Sequence, residues 1–106
     1  MKVKFMKSQK NFLEIEFYRS VDQLRRSSSS VSNNIAESYN KRSVKEKCHI
    51  LRDMVIAGAE ETESNISRCG DKDFLPVVVA QEIADGYVNL KKAVFGYIRF
   101  LNSNFN

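Results

Sequence analysis

The stretch Gln23-Leu-Arg-Arg-Ser-Ser-Ser-Ser-Val-Ser-Asn-Asn34 sets two arginines before four consecutive serines and ends on two asparagines. Composition alone makes it a linker, which would split the chain in two. Spacing says otherwise. Val21, Leu24, Ser28, Val31 and Ile35 recur in steps of three and four on both sides of the serines, the signature of one helical face running through them. Four serines inside a helix weaken it by about 2 kcal/mol relative to alanine, so something has to offset them. Small side chains let a neighbouring helix approach closely, and their hydroxyls can return to the carbonyl four residues earlier. Ser27 to Ser30 therefore read as a tight packing surface, with a polar ligand-lining surface as the alternative.

Outward from this segment the chain reads as all-α. One proline and four glycines in 106 residues are too few turn residues for a sheet protein. A second apolar stripe runs through Val44, Cys48, Leu51, Val55, Ala59, Thr62 and Ile66, and a third through Val79, Ile83, Leu90, Val94, Tyr97 and Leu101. Ser20 with Gln23, and Ser43 with Glu46, match the capping-box pattern of a helix start. Gly70 is placed to end the second helix in the left-handed conformation, and Pro76 opens the third. The expectation is a single domain over residues 1–106, an antiparallel up-down helical bundle with three long helices near 20–41, 44–69 and 76–102. A bundle of this size buries a modest fraction of its surface, so self-association is expected as well.

Charge divides unevenly. Residues 1–53 hold twelve Lys or Arg against six Asp or Glu, and the remainder five against seven, for a net charge of +4. Lys41, Arg42, Lys45 and Lys47 bracket the turn between the first two long helices, with Glu46 the one acid among them, and make a positive knob suited to phosphate contact. Arg26, Ser30, Asn33 and Glu37 share a polar face about 16 Å long, which either binds a partner or faces water. Antiparallel packing about a turn near Ser43 would bring Arg25 and Arg26 to the height of Glu60 and Glu61, predicting interhelical ion pairs.

The residues do not favour an enzyme, a metal or a cofactor. His49 is the one histidine, and adjacent Cys48 points about 100° away on a helix. Cys48 and Cys69 would stand about 31 Å apart on one helix, too far for a disulfide, and read as buried thiols. Glu60, Glu61 and Glu63 read as an ion-pair surface. No glycine-rich phosphate loop and no serine with an adjacent base is evident. No apolar run approaches the ~20 residues of a membrane span, and the first ten residues lack a secretory apolar core, so a cytoplasmic location is expected.

The same stretch carries a resemblance. Gln23, Leu24, Arg25 and Arg26, then Ser30, Asn34, Ile35, Ala36 and Glu37, followed by Ser43, Lys45 and Glu46, resemble the signature of the four-helix-bundle proteins first noted as reading frames in intervening sequences of bacterial 23S ribosomal RNA genes. Phe12 and Tyr18 fall on its upstream aromatic positions. Glu61 and Glu63 match its E-x-E, given one extra residue between Leu51 and Ala57. The resemblance implies a ring-shaped homopentamer. It also implies kinship with the accessory variability proteins of diversity-generating retroelements, which bind nucleic acid beside a reverse transcriptase. Eleven residues precede Phe12 where the family carries a full helix, which implies a first helix of two or three turns.

Two functions follow as expectations. One is a nucleic-acid-associated assembly protein binding RNA or DNA through Arg25, Arg26, Lys41, Arg42, Lys45 and Lys47. The other is an interaction scaffold without nucleic-acid affinity. Ser27, Ser28, Ser30, Asn34 and Glu37 are the expected oligomer or helix-packing residues in either.

Overall fold

The computed structural model describes residues 11–105. They form helix α1 (Phe12–Asn40), α2 (Val44–Ile50), a π turn (Leu51–Val55), α3 (Ile56–Asp71) and α4 (Val77–Phe105). No strand occurs among the described residues. The segments α2, π turn and α3 are continuous, so the described residues make three rods. The short helix expected ahead of Phe12 lies outside the described residues.

The first rod starts eight residues earlier than the sequence spacing predicts. Asn11 accepts from the Glu14 backbone N–H at 2.8 Å while Glu14 accepts from that of Asn11 at 3.2 Å, a complete capping box. Ser20, expected to cap, is instead buried inside the helix. Nothing between Phe12 and Ser20 breaks a helix, so the earlier of two plausible caps prevails.

The second rod begins at the expected cap, Ser43, whose hydroxyl oxygen accepts from the Glu46 N–H at 3.1 Å. It ends differently from expectation. Gly70 stays within α3, and the left-handed residue is Asp73, at φ 62°. The Asp73 N–H donates to Gly70 and that of Phe74 to Cys69, at 3.1 and 2.8 Å, the bond pair of a Schellman stop. Gly70 serves packing instead: a Cβ there would lie 3.0 Å from that of Ala80 on α4. The π turn, with its i to i+5 bonds, holds one residue more than an α turn.

The middle rod supplies most of the core. Cys48, Leu51, Val55, Ala59, Thr62 and Ile66 are all buried and Val44 half-buried. Both outer rods pack on it and not on each other. Along α1 the buried line is Ser20, Ser27, Val31 and Ser38, and along α4 it is Ala80, Val94, Ile98 and Leu101. Three residues assigned to the third stripe, Val79, Ile83 and Tyr97, lie on an exposed flank of α4 instead. That helix is apolar on more than one side, and the middle rod takes only one of them.

Partners on α1 and the middle rod meet in a fixed sequence of pairs. Asn65 donates to Ser27 Oγ at 3.1 Å, Gly58 faces Val31, and Lys47 donates to the Ser38 and Tyr39 carbonyls. The serine run is helical throughout, and its hydroxyls return three residues back rather than four: Ser27 to the Leu24 carbonyl and Ser28 to that of Arg25, each at 3.2 Å.

The middle rod and α4 also share a charge cluster. Lys91 Nζ stands 2.7 Å from Glu63 and 3.6 Å from Glu60. Its hydrogen bond to Glu63 holds the ammonium above the ordinary lysine range, against the opposing effect of burial. The stabilisation is complete below the unfolded value of about 10.4 and is lost as pH rises through the higher folded value. Lys91→Met is expected to cost about 1–2 kcal/mol at neutral pH. In paired thermal melts, the gap between variant and wild type should narrow as pH rises through the raised lysine value.

Candidate nucleic-acid interface

The six cations expected to bind nucleic acid fall into two groups, which the fold keeps apart. Arg25 and Arg26 lie on α1 about 20 Å along the helix from the turn that carries the other four. Arg26 turns back to Asp22 on its own helix at 3.0 Å. The predicted pairing of Arg25 and Arg26 with Glu60 and Glu61 does not form. Asn65, not Glu60, lies level with Ser27, so the glutamates sit too far along, and Glu60 turns to Lys91 on the other side.

The turn group divides by what each charge already does. Lys41 pairs with Glu37 at 3.2 Å. Lys47 donates to the last carbonyls of α1, Ser38 at 3.4 Å and Tyr39 at 3.2 Å, and its ammonium lies 5.8 Å from the Tyr39 ring centroid. A cation there satisfies acceptors that the helix end leaves open, so Lys47 closes the corner. Arg42 and Lys45 are exposed, and no ion pair or hydrogen bond engages their side chains among the described residues. These two are the charges the fold leaves for something else.

They face a cavity. Between the turn and the end of α4 lies an open hollow of about 690 Å³, lined by Arg42, Lys45 and Lys47 on one side and by Tyr97, Phe100 and Phe105 on the other. The Tyr97 and Phe100 rings stack at 6.3 Å, and Phe105 meets Phe100 edge-on at 5.8 Å. No acidic side chain lines the hollow. Sequence reasoning missed this wall. The spacing of Tyr97 and Phe100 was the available signal, but Tyr97 was assigned to the core, and nothing local places α4's end beside Arg42.

The expected packing residues scatter. Ser27 is buried against Asn65. Ser30 and Asn34 bond to each other at 3.1 Å beside the close approach at Gly58. Glu37 is exposed and occupied by Lys41. Ser28 turns toward a second feature, an apolar furrow between α1 and α4, whose walls include Ile35, Ile83, Tyr87 and Leu90.

Cys48 and Cys69 are buried free thiols, and His49 pairs with Asp53 at 2.8 Å. No group of three potential metal ligands occurs among the described residues, and no helix there is long and apolar enough to cross a membrane.

Among the described residues, three helical rods without a strand define an all-α protein whose distinctive surface is a cationic corner beside exposed aromatic rings. Residues 1–96 match the family described as 23S rRNA-intervening sequence protein, and the chain belongs to that family. Comparison with curated proteins and with solved structures gives no match.

Proposed function

We propose that the protein is a non-enzymatic, cytoplasmic bundle protein that associates with RNA or DNA through its cationic corner. The observation that carries this reading is the pair Arg42 and Lys45, two exposed charges without partners among the described residues, beside Lys41 and Lys47. Membership of a family named for a ribosomal RNA intervening sequence is in keeping with it. The order in which Asn65, Gly58 and Lys47 meet α1 supports an antiparallel, up-down arrangement, which brings the corner and the end of α4 together.

Binding by phosphate neutralisation releases counterions, so log affinity falls linearly with log salt, by about 0.9 per contact on a duplex. The double variant Arg42→Gln, Lys45→Gln is expected to weaken binding to a short fluorescent RNA and to flatten that slope by about 1.8 on a duplex and about 1.4 on a single strand, where each contact counts about 0.7. An unchanged slope, or wild-type protein that binds no nucleic acid at low salt, would overturn the reading.

A second reading is an oligomeric scaffold in which the charges only confer solubility. The furrow between α1 and α4 favours it, because Ile35, Ile83 and Tyr97 leave apolar surface open there. The homopentamer implied by the resemblance belongs to this reading and is compatible with the first. Light scattering separates them: a discrete oligomer without nucleic-acid affinity supports the scaffold alone, and a stable monomer removes it.

A further inference from the structure

We propose that the hollow between the cationic corner and the end of α4 receives an unpaired nucleobase, with Tyr97, Phe100 and Phe105 as the stacking wall and Arg42 and Lys45 on the adjoining phosphates. The inference rests on the nucleic-acid reading and narrows it to single-stranded substrate.

Three observations carry it. The rings are contiguous, line the hollow and stay exposed, at 44% for Tyr97, 51% for Phe100 and 65% for Phe105, so the cluster keeps accessible aromatic surface beyond its own ring contacts. The opposite side of the same cavity holds three cations and no acid, a charge that suits a polyanion and repels a second copy of the same corner. Its volume, about 690 Å³, leaves room for a ring system above the aromatic wall. A duplex keeps its bases stacked inside and offers the rings nothing but backbone. An unpaired base exposes a π-face, and stacking on aromatic side chains is sequence-tolerant. Of the other two cations expected to bind nucleic acid from α1, Arg25 is not among the residues that line this hollow, and Arg26 is paired with Asp22.

The test compares three fluorescein-labelled probes of about ten nucleotides by anisotropy: an oligouridylate, the same backbone with abasic sugars, and a duplex. The oligouridylate is expected to bind about tenfold tighter than the abasic strand. Phe100→Leu and, separately, Phe105→Leu keep apolar volume and remove the ring. Each is expected to erase most of that preference and to leave the salt slope unchanged, with the helical circular dichroism signal intact. Phe105 lies at the end of α4, so its variant remains informative if Phe100→Leu folds poorly. Equal binding of the base-bearing and abasic strands, or a preference that survives both substitutions, would overturn the inference while leaving the phosphate-based reading standing. A fall in assembly mass in either variant would show the rings to be a contact between copies and would overturn it too. If none of the probes binds, both readings fall together.

Discussion

Gly58→Leu is expected to cost about 3 kcal/mol of stability and to lower Tm by more than about 10 °C. At Gly58 the middle rod lies so close to α1 that even a Cβ would stand 3.1 Å from Val31 Cγ2 and 3.8 Å from the Val31 backbone nitrogen. Val31 is 4% exposed and β-branched, so it has little freedom to yield. A leucine must force the rods apart, and the separation would spread to the contacts on either side. Gly58→Ala is a finer probe. The gain of up to about 1 kcal/mol in helix preference opposes a contact tight by a few tenths of an ångström, so a change near zero is expected. Gly86 supplies the control, because nothing lies within 4 Å of its missing Cβ, and Gly86→Ala should stabilise by about 0.5–1 kcal/mol. Denaturant melts of the three variants decide the matter. Equal tolerance at Gly58 and Gly86 would mean that the serine run does not bring the helices together.

The serine run was legible as helix because the spacing of Val21, Leu24, Val31 and Ile35 continues through it, and the close approach at Gly58 offsets the weak helix preference of the serines. Ser27 and Ser30 sit beside Asn65 and Gly58, where larger side chains would hold the rods apart. The middle rod was legible because it has neighbours on two sides, so nearly every apolar position in its stripe had a place to be buried. The outer rods have one neighbour each, and their surplus apolar residues blurred the pattern. Val79, Ile83 and Tyr97 fit a helical spacing as well as Ala80, Val94 and Ile98 do. Helix ends were ambiguous for a different reason. Asn11 with Glu14 and Ser20 with Gln23 satisfy similar local chemistry, and a pattern of four residues cannot rank them. Gly70 looked like a stop because glycine usually is one, whereas here Asp73 takes the left-handed conformation and Gly70 makes room for Ala80. At the candidate site the cations were readable one by one. Which of them are free was not, because that depends on carbonyls and carboxylates brought in by the corner. The aromatic wall required knowing that residue 100 ends near residue 42, a long-range contact that no local spacing encodes.

The remaining large effect is expected at Asn65, where Asn65→Ala should cost about 2–3 kcal/mol. Its side chain is 4% exposed between the rods. The amide nitrogen donates to Ser27 Oγ at 3.1 Å and to the Gln23 carbonyl at 3.4 Å, and its oxygen accepts from Arg68. Truncation opens a small void and leaves the Ser27 and Arg68 groups short of a partner. Ser27→Ala alone should cost less, about 1 kcal/mol, because Asn65 retains the Gln23 carbonyl. The pair should therefore be less than additive, with a coupling of about 1 kcal/mol in a double-mutant cycle read from urea melts. Additive losses would mean that the two side chains do not share a bond. The coupling matters beyond its size. Val31, Val55 and Ala59 belong to one apolar cluster, and hydrocarbon contacts of this kind carry little directional preference. One buried amide does carry one, because moving α1 by a turn would strand its donor away from Ser27. The height at which Asn65 and Ser27 meet then also helps fix which residues of the corner lie opposite the end of α4. Loosening that pair should accordingly broaden the cationic site even though neither residue touches it.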